Sequence, residues 1–225
     1  MTVRLLGYAS LPAIPVALYM ALVAAPTEAF MGHSQRIMYI HVPAAIASYL
    51  SFAIVAAAGA LYLWRRRDHL DALAHASAEV GVLFTTITLL TGSLWGRAAW
   101  GWWWTWDPRL TTTLVLWLIY VAYLIMRQAI DDPERRARFS AIFGIVGFLD
   151  VPVVHLSVVW WRSIHPPNFA GGGTTLDPAM QQALAVCAAA FLLFNLFLIA
   201  LRWRVERLER SAARARASGR GAAGD

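Results

Sequence analysis

Apolar residues in this chain come in long, nearly unbroken runs, without the alternating or one-sided patterns of water-exposed strands and helices. Leu5–Ala25 carries no charge, His41–Trp64 only His41, and Ala72–Trp95 only His75 and Glu79 near its start. Leu110–Met126 is clean, Phe139–Trp161 contains Asp150 and His155, and Met180–Leu201 contains Asn195 behind Gln181 and Gln182. A membrane span needs about 20 mostly apolar residues, because each helical residue rises about 1.5 Å across a hydrocarbon core of about 30 Å. Barrel strands would be shorter and would alternate polar with apolar positions. The pattern predicts an all-α, polytopic membrane protein with six transmembrane helices. The first run outlasts the roughly 7–15 residues of a signal-peptide core, and its best cleavage point, after Ala25, would leave Pro26 beyond it. It is therefore read as a span.

Composition agrees: 59% of residues are hydrophobic and 14% charged, against about a quarter charged in soluble domains. The chain has no lysine, so orientation rests on its arginines. A cytoplasmic N-terminus puts Arg4, Arg65 to Arg67, Arg127, Arg135, Arg136, Arg138 and the seven from Arg202 onward inside. Only Arg36, Arg97, Arg109 and Arg162 then lie outside, which satisfies the positive-inside rule and makes both termini cytoplasmic. Residues 1–201 form the six-helix transmembrane domain and residues 202–225 a basic cytoplasmic tail. The tail is read as a solvated anchor, its first part running on as a helix along anionic headgroups and its end disordered. The positive balance reflects topology, not nucleic-acid binding. Cys187 is the single cysteine, which excludes an internal disulfide and a C-x-x-C-H haem attachment. Without lysine there is no Walker A motif, so any ATP-driven step belongs to a partner.

The outer loop at 95–109 joins the third and fourth spans. It holds Trp95, Trp100, Trp102, Trp103, Trp104 and Trp106, six of the chain's eleven tryptophans. Trp64, Trp117 and Trp203 fit an ordinary interfacial belt. Six indoles in so short a window instead predict a continuous flat apolar platform with N–H donors at its rim. Gly96 and Gly101 let the backbone turn and approach a ligand closely. Asp107-Pro108 has the form of a helix start, as has Asp177-Pro178 before the last span. Arg97 and Arg109 flank the platform and suit carboxylates on a ligand.

Depth separates the histidines. His41 opens the second span from outside, and His165 lies just past the outer end of the fifth, so both reach the layer of the tryptophan loop. His33 falls in the first outer loop, His69 on the inner side, and His75 near the inner end of the third span, within bonding range of Glu79. His155 is expected about 15 Å beneath His165 if the residues between are helical, too far to reach the same ligand. Two imidazoles facing an aromatic shelf make a suitable axial pair for haem iron, His41 and His165. Asp150 and His155, with Pro152 between them, are read as a structural polar pair or a second layer under the site.

Trp95-Gly96, Trp100-Gly101, Trp103-Trp104, Trp106-Asp107 and Arg109 together resemble the WWD domain of haem-handling membrane proteins. The six spans, His41-Val42-Pro43 and the Trp160-Trp161 pair leading to His165 resemble, within that superfamily, the cytochrome c maturation protein C (CcmC, haem exporter protein C) family. The resemblance covers nearly the whole chain up to Leu201. It implies a protein of the bacterial inner membrane that binds non-covalent haem b at its periplasmic face in c-type cytochrome biogenesis. It implies His41 and His165 as axial ligands and Trp95, Gly96, Trp100, Gly101, Trp103, Trp104, Trp106 and Asp107 as the platform. It also implies delivery of haem to the haem chaperone CcmE, beside the ABC transporter subunits CcmA and CcmB and the small single-span CcmD. In such a role the chain positions the cofactor and forms no bond itself. Two other readings stand beside it. One is a haem lyase or cytochrome c synthetase-type enzyme acting on apocytochrome, against which the chain length argues. The other is a cofactor-free permease subunit, against which the clustered tryptophans argue.

Overall fold

Three helices of this chain start at Asp-Pro pairs. In the computed structural model, which describes residues 2–29, 31–165 and 176–222, Asp107 accepts from the Arg109 N–H at 3.0 Å. Asp132 accepts from Arg135 at 2.7 Å and Asp177 from Ala179 at 2.8 Å. Each aspartate satisfies an orphan N–H, while the proline has none to satisfy. The helices are α1 (Thr2–Tyr19, extended by a π turn over Met20–Ala24), α2 (Met38–Arg65, entered through a 3-10 turn at His33–Ile37) and α3 (Asp68–Trp100). They continue with α4 (Pro108–Ala129), α5 (Pro133–Phe148), α6 (Asp150–Trp160) and α7 (Pro178–Ala222). Among the described residues, six helical segments are long and apolar enough to cross a membrane, α5 and α6 together making one of them. The all-α, six-span architecture is as the apolar runs predict.

The break between α5 and α6 follows from Pro152. It has no N–H for the Phe148 carbonyl and its ring crowds that group, and α5 ends at Phe148. The expected Asp150–His155 pair does not form. Both lie on α6, where five residues turn about 140° round the axis, and the buried Asp150 Oδ2 has no hydrogen-bond partner among the described residues.

Polar contacts then tie the spans together inside the apolar bundle. Phe52 of α2 stacks on Tyr120 of α4, centroids 3.7 Å apart, and the Tyr120 hydroxyl donates to the Gly144 carbonyl of α5 at 3.0 Å. Asn195 of α7 donates to the Ala47 carbonyl and Ser51 hydroxyl of α2 at 3.2 and 2.7 Å. Trp117 donates to Thr86 of α3 at 2.9 Å, so it is a helix–helix contact and not part of a belt. Such bonds hold helices together where lipid offers no polar alternative.

At the end of the bundle where α1 begins, the chain is held by ions. Arg127 of α4 binds Asp71 of α3 through two bonds of 2.7 and 2.9 Å. Arg210 adds a third at 2.8 Å. Arg202 pairs with Glu79 at 2.6 Å, Arg214 pairs with Asp68, and His75 lies 3.6 Å from Glu79 and 3.2 Å from Glu206. This changes the picture of residues 202–225. The tail continues α7 as helix to Ala222, and residues 202, 206, 210 and 214 recur every fourth position on one face, the three arginines docked on acids of α3 and Glu206 on His75. Residues 223–225 lie outside the described residues.

Candidate functional site

α3 does not stop at Trp95. It runs on to Trp100 and ends at Gly101, whose φ of 80° is left-handed, a geometry that L side chains rarely adopt. Trp95 and Trp100 therefore leave a rigid helix end, and only residues 101–107 form the loop to α4. At this end of the bundle lies a cavity of about 500 Å³, walled by Trp95, Trp100, Trp104, His41, His165 and Arg109. Adjacent rings connect the two imidazoles along one wall. His41 is 6.0 Å from Trp95, Trp95 is 6.4 Å from Trp100, and Trp100 is 5.1 Å from His165, edge to face.

Both imidazoles are oriented through Nδ1. That atom of His41 lies 3.1 Å from the Thr88 carbonyl and 3.2 Å from the Thr91 hydroxyl of α3. The Thr91 hydroxyl spends its own proton on Ile87 at 2.6 Å, so His41 Nδ1 is the donor to both oxygens. His165 Nδ1 lies 3.0 Å from Asp107 Oδ1. In each ring the proton sits on Nδ1 and the lone pair on Nε2, the tautomer of a ring that ligates a metal through Nε2.

Asp107 organises the segment after α6. Besides capping α4 it accepts from the Ser163 hydroxyl at 2.8 Å and the Ile164 N–H at 2.9 Å. Burial opposes its ionisation, but the bonds from the Ser163 hydroxyl and the Ile164 and Arg109 main-chain N–H groups, with His165 nearby, hold the carboxyl below its usual range. His165 is also held below its ordinary value. Burial is the main cause, Asp107 pulls the other way, and Arg109 reinforces the depression. The neutral imidazole is the favoured form.

Of the sequence candidates, His41, His165, Trp95, Trp100, Trp104 and Arg109 converge on this cavity. Gly96 is buried, and a Cβ there would lie 3.3 Å from the Trp102 carbonyl. The flat six-indole platform is not formed. Trp102, Trp103 and Trp106 are exposed, and Trp106 meets Trp104 at 82°. A loop that must turn from α3 into α4 cannot keep six side chains on one side. Arg97 bonds the Gly101 carbonyl at the end of its own helix and does not line the cavity, whereas Arg109 does. The depth argument for His155 also needs correction, since His155 lines the same cavity as His165. α6 ends at Trp160, and the chain beyond folds back onto Asp107, so the ten residues between the histidines are not one helix.

The residues that sequence reasoning missed are those that aim the imidazoles: Thr88, Thr91, Gly92 and Ser163. The first three sit at i, i+3 and i+4 on α3, a small and hydroxyl-bearing face whose meaning appears only with the α2–α3 register. A Cβ on Gly92 would lie 2.9 Å from His41 Cε1. Gly92→Ala is therefore expected to lower the thermal midpoint, at an overpacking cost of about 1–3 kcal/mol. In a helix free of neighbours the same change gains up to about 1 kcal/mol, so the sign of the shift tests the contact.

The family described as heme exporter protein C matches residues 1–218. The chain is 39% identical over 206 residues to the heme exporter protein C of Bradyrhizobium diazoefficiens, covering 90% of this chain and 78% of that one. It is 40% identical over 187 residues to the heme exporter protein C of Escherichia coli K12, covering 80% and 73%. The corresponding protein of Haemophilus influenzae is 34% identical over 221 residues, covering 93% and 86%.

Proposed function

The chain belongs to the heme exporter protein C family, and on that premise we propose that it holds haem for export in c-type cytochrome biogenesis, between His41 and His165. A single arrangement carries the reading: two imidazoles from separate elements, each tethered through Nδ1, meet one aromatic-walled cavity. The residues fit the group in three further respects. The volume of about 500 Å³ falls in the usual range for small-molecule sites, about 300–1,000 Å³. The indole N–H groups of Trp95 and Trp104 are buried without a partner among the described residues, which leaves donors for a ligand. Arg109 supplies a guanidinium at the cavity wall for a propionate. When bound, haem b brings iron that takes two axial nitrogens, and it is held without covalent attachment. The chain's part is to fix orientation, exclude water with Trp95, Trp100 and Trp104, and keep both ligand nitrogens deprotonated.

Arginine distribution supports a periplasmic cavity with both termini in the cytoplasm. The exposed Trp102, Trp103 and Trp106 then form the surface offered to the haem chaperone CcmE. CcmA and CcmB supply the ATP-driven step and CcmD completes the complex in the bacterial inner membrane. The protein purified from haem-replete cells is expected to show a Soret band, and photocrosslinkers at positions 102, 103 and 106 to capture the chaperone. No Soret band even after added haem would sink the cargo. Capture only from positions 65 to 67 or 135 to 138 would reverse the topology.

Asp107→Asn offers a narrower test. The amide oxygen still caps α4, but one acceptor is lost from the set that holds Ser163, Ile164 and His165. Haem affinity is expected to fall about 10- to 100-fold, the usual effect of removing an outer partner of a ligating histidine. Asp107→Ala should lose about 1 kcal/mol more, from the helix cap. Spectrophotometric haem titration and thermal unfolding, run on both variants, separate the two effects.

A further inference from the structure

The arginines of α7 divide into two sets. Arg202, Arg210 and Arg214 face α3 and are paired with Glu79, Asp71, Glu206 and Asp68. Arg204 and Arg207 face α1, and with Arg4 they have no carboxylate partner among the described residues. These three guanidiniums border a groove of about 860 Å³ between the start of α1 and the distal part of α7. Its floor is apolar, built by Leu5, Tyr8, Ala200 and Leu208. Leu5 and Tyr8 are 58% and 70% exposed, so the described residues leave most of both side chains uncovered.

One of the three arginines is already positioned. Trp203 donates its indole N–H to the His69 carbonyl of α3 at 3.0 Å, which fixes the ring. The Arg207 guanidinium lies over that ring, 5.3 Å from its centroid. The ring attracts the cation without accepting its N–H hydrogen bonds, which leaves N–H donors for a planar or tetrahedral oxyanion. Trp203 also marks depth, because tryptophan concentrates at the headgroup level of a span.

We propose that this groove is a binding site for one acidic diacyl phospholipid, its phosphate held by Arg4, Arg204 and Arg207 and its chains laid against Leu5, Tyr8 and Ala200. Charge complementarity selects the occupant: unpaired cations stand at the headgroup level above an apolar floor that continues along two spans. A soluble phosphate would leave that floor uncovered, and an apolar partner helix would leave the cations unanswered. The site lies at the opposite end of the bundle from the haem cavity and does not depend on it.

The test is native mass spectrometry of the whole protein taken from nanodiscs of mixed phosphatidylglycerol and phosphatidylcholine. Wild type is expected to keep one phosphatidylglycerol. Arg204→Gln with Arg207→Gln should weaken retention about fivefold for each charge removed, and adding Arg4→Gln should weaken it further. The double variant leaves the N-terminal charge, and hence topology, intact. A charge-matched control with Arg65, Arg67 and Arg138 changed to Gln is expected to retain the lipid. Equal loss in the control would reduce the effect to diffuse attraction and overturn the site. So would equal retention of phosphatidylcholine, or an acidic polypeptide copurifying with wild type and absent from the double variant.

Discussion

Replacing His41 or His165 with alanine is expected to weaken haem retention at least about tenfold, equivalent to about 1.4 kcal/mol, and free imidazole should restore part of the loss. Each variant removes one nitrogen donor and leaves a hole the size of its ring, which added imidazole fills. His155→Ala is the decisive comparison. His155 lines the same cavity, so proximity alone does not choose between it and His165. Tethering does. His165 is fixed through Nδ1 by Asp107 at 3.0 Å, which presents Nε2, while His155 meets Arg109 through its main-chain carbonyl, at 3.5 Å. His155→Ala is therefore expected to keep the Soret band within about twofold, near the usual ±0.5 kcal/mol of a substitution that breaks no specific contact. Loss of the band in His155→Ala with retention in His165→Ala would exchange their roles.

The spans were legible because the signal for them is purely compositional: runs such as Leu5–Ala25 and Met180–Leu201 have one physical explanation. The Asp-Pro starts were legible because capping is local. The convergence of His41 and His165 was legible through topology, since two residues at the same ends of spans share a layer. What failed needed three-dimensional facts. A depth for His155 measured along one continuous helix needs that helix to run to His165, but α6 ends at Trp160, and no local rule shows the chain folding back to Asp107. Trp102, Trp103 and Trp106 share a composition with Trp95, Trp100 and Trp104, and only the direction of the turn separates the exposed set from the cavity wall. Thr88, Thr91 and Gly92 carry no motif. They matter because α2 presents His41 at that height on α3. The tail arginines looked like a solvated anchor because their partners, Asp68, Asp71 and Glu79, lie well over a hundred positions earlier in the sequence.

Those partners set the second large effect. The side chains of Arg127 and Asp71 are 4% and 5% exposed, and removing one member of a buried pair leaves an uncompensated charge, at a cost of about 3–5 kcal/mol. Arg127→Met and Asp71→Asn are each expected to lose that much stability, read from thermal or denaturant unfolding in a fixed detergent. Arg210→Gln should cost less, about 1 kcal/mol or under, because its side chain is 25% exposed and solvent screens what remains. The double variant Asp71→Leu with Arg127→Met should recover most of the loss, since apolar packing often replaces a buried pair without penalty. Haem retention should fall with the single changes even though Asp71 lies about 36 Å along α3 from Trp95. α3 carries Thr88, Gly92, Trp95 and Trp100, and the N-terminus of α4 carries Asp107. The Asp71–Arg127 pair pins these two helices to each other at their far ends. If the single variants lose stability but keep haem affinity unchanged, the cavity is held by its own local bonds, and the ionic end serves only to keep α7 docked.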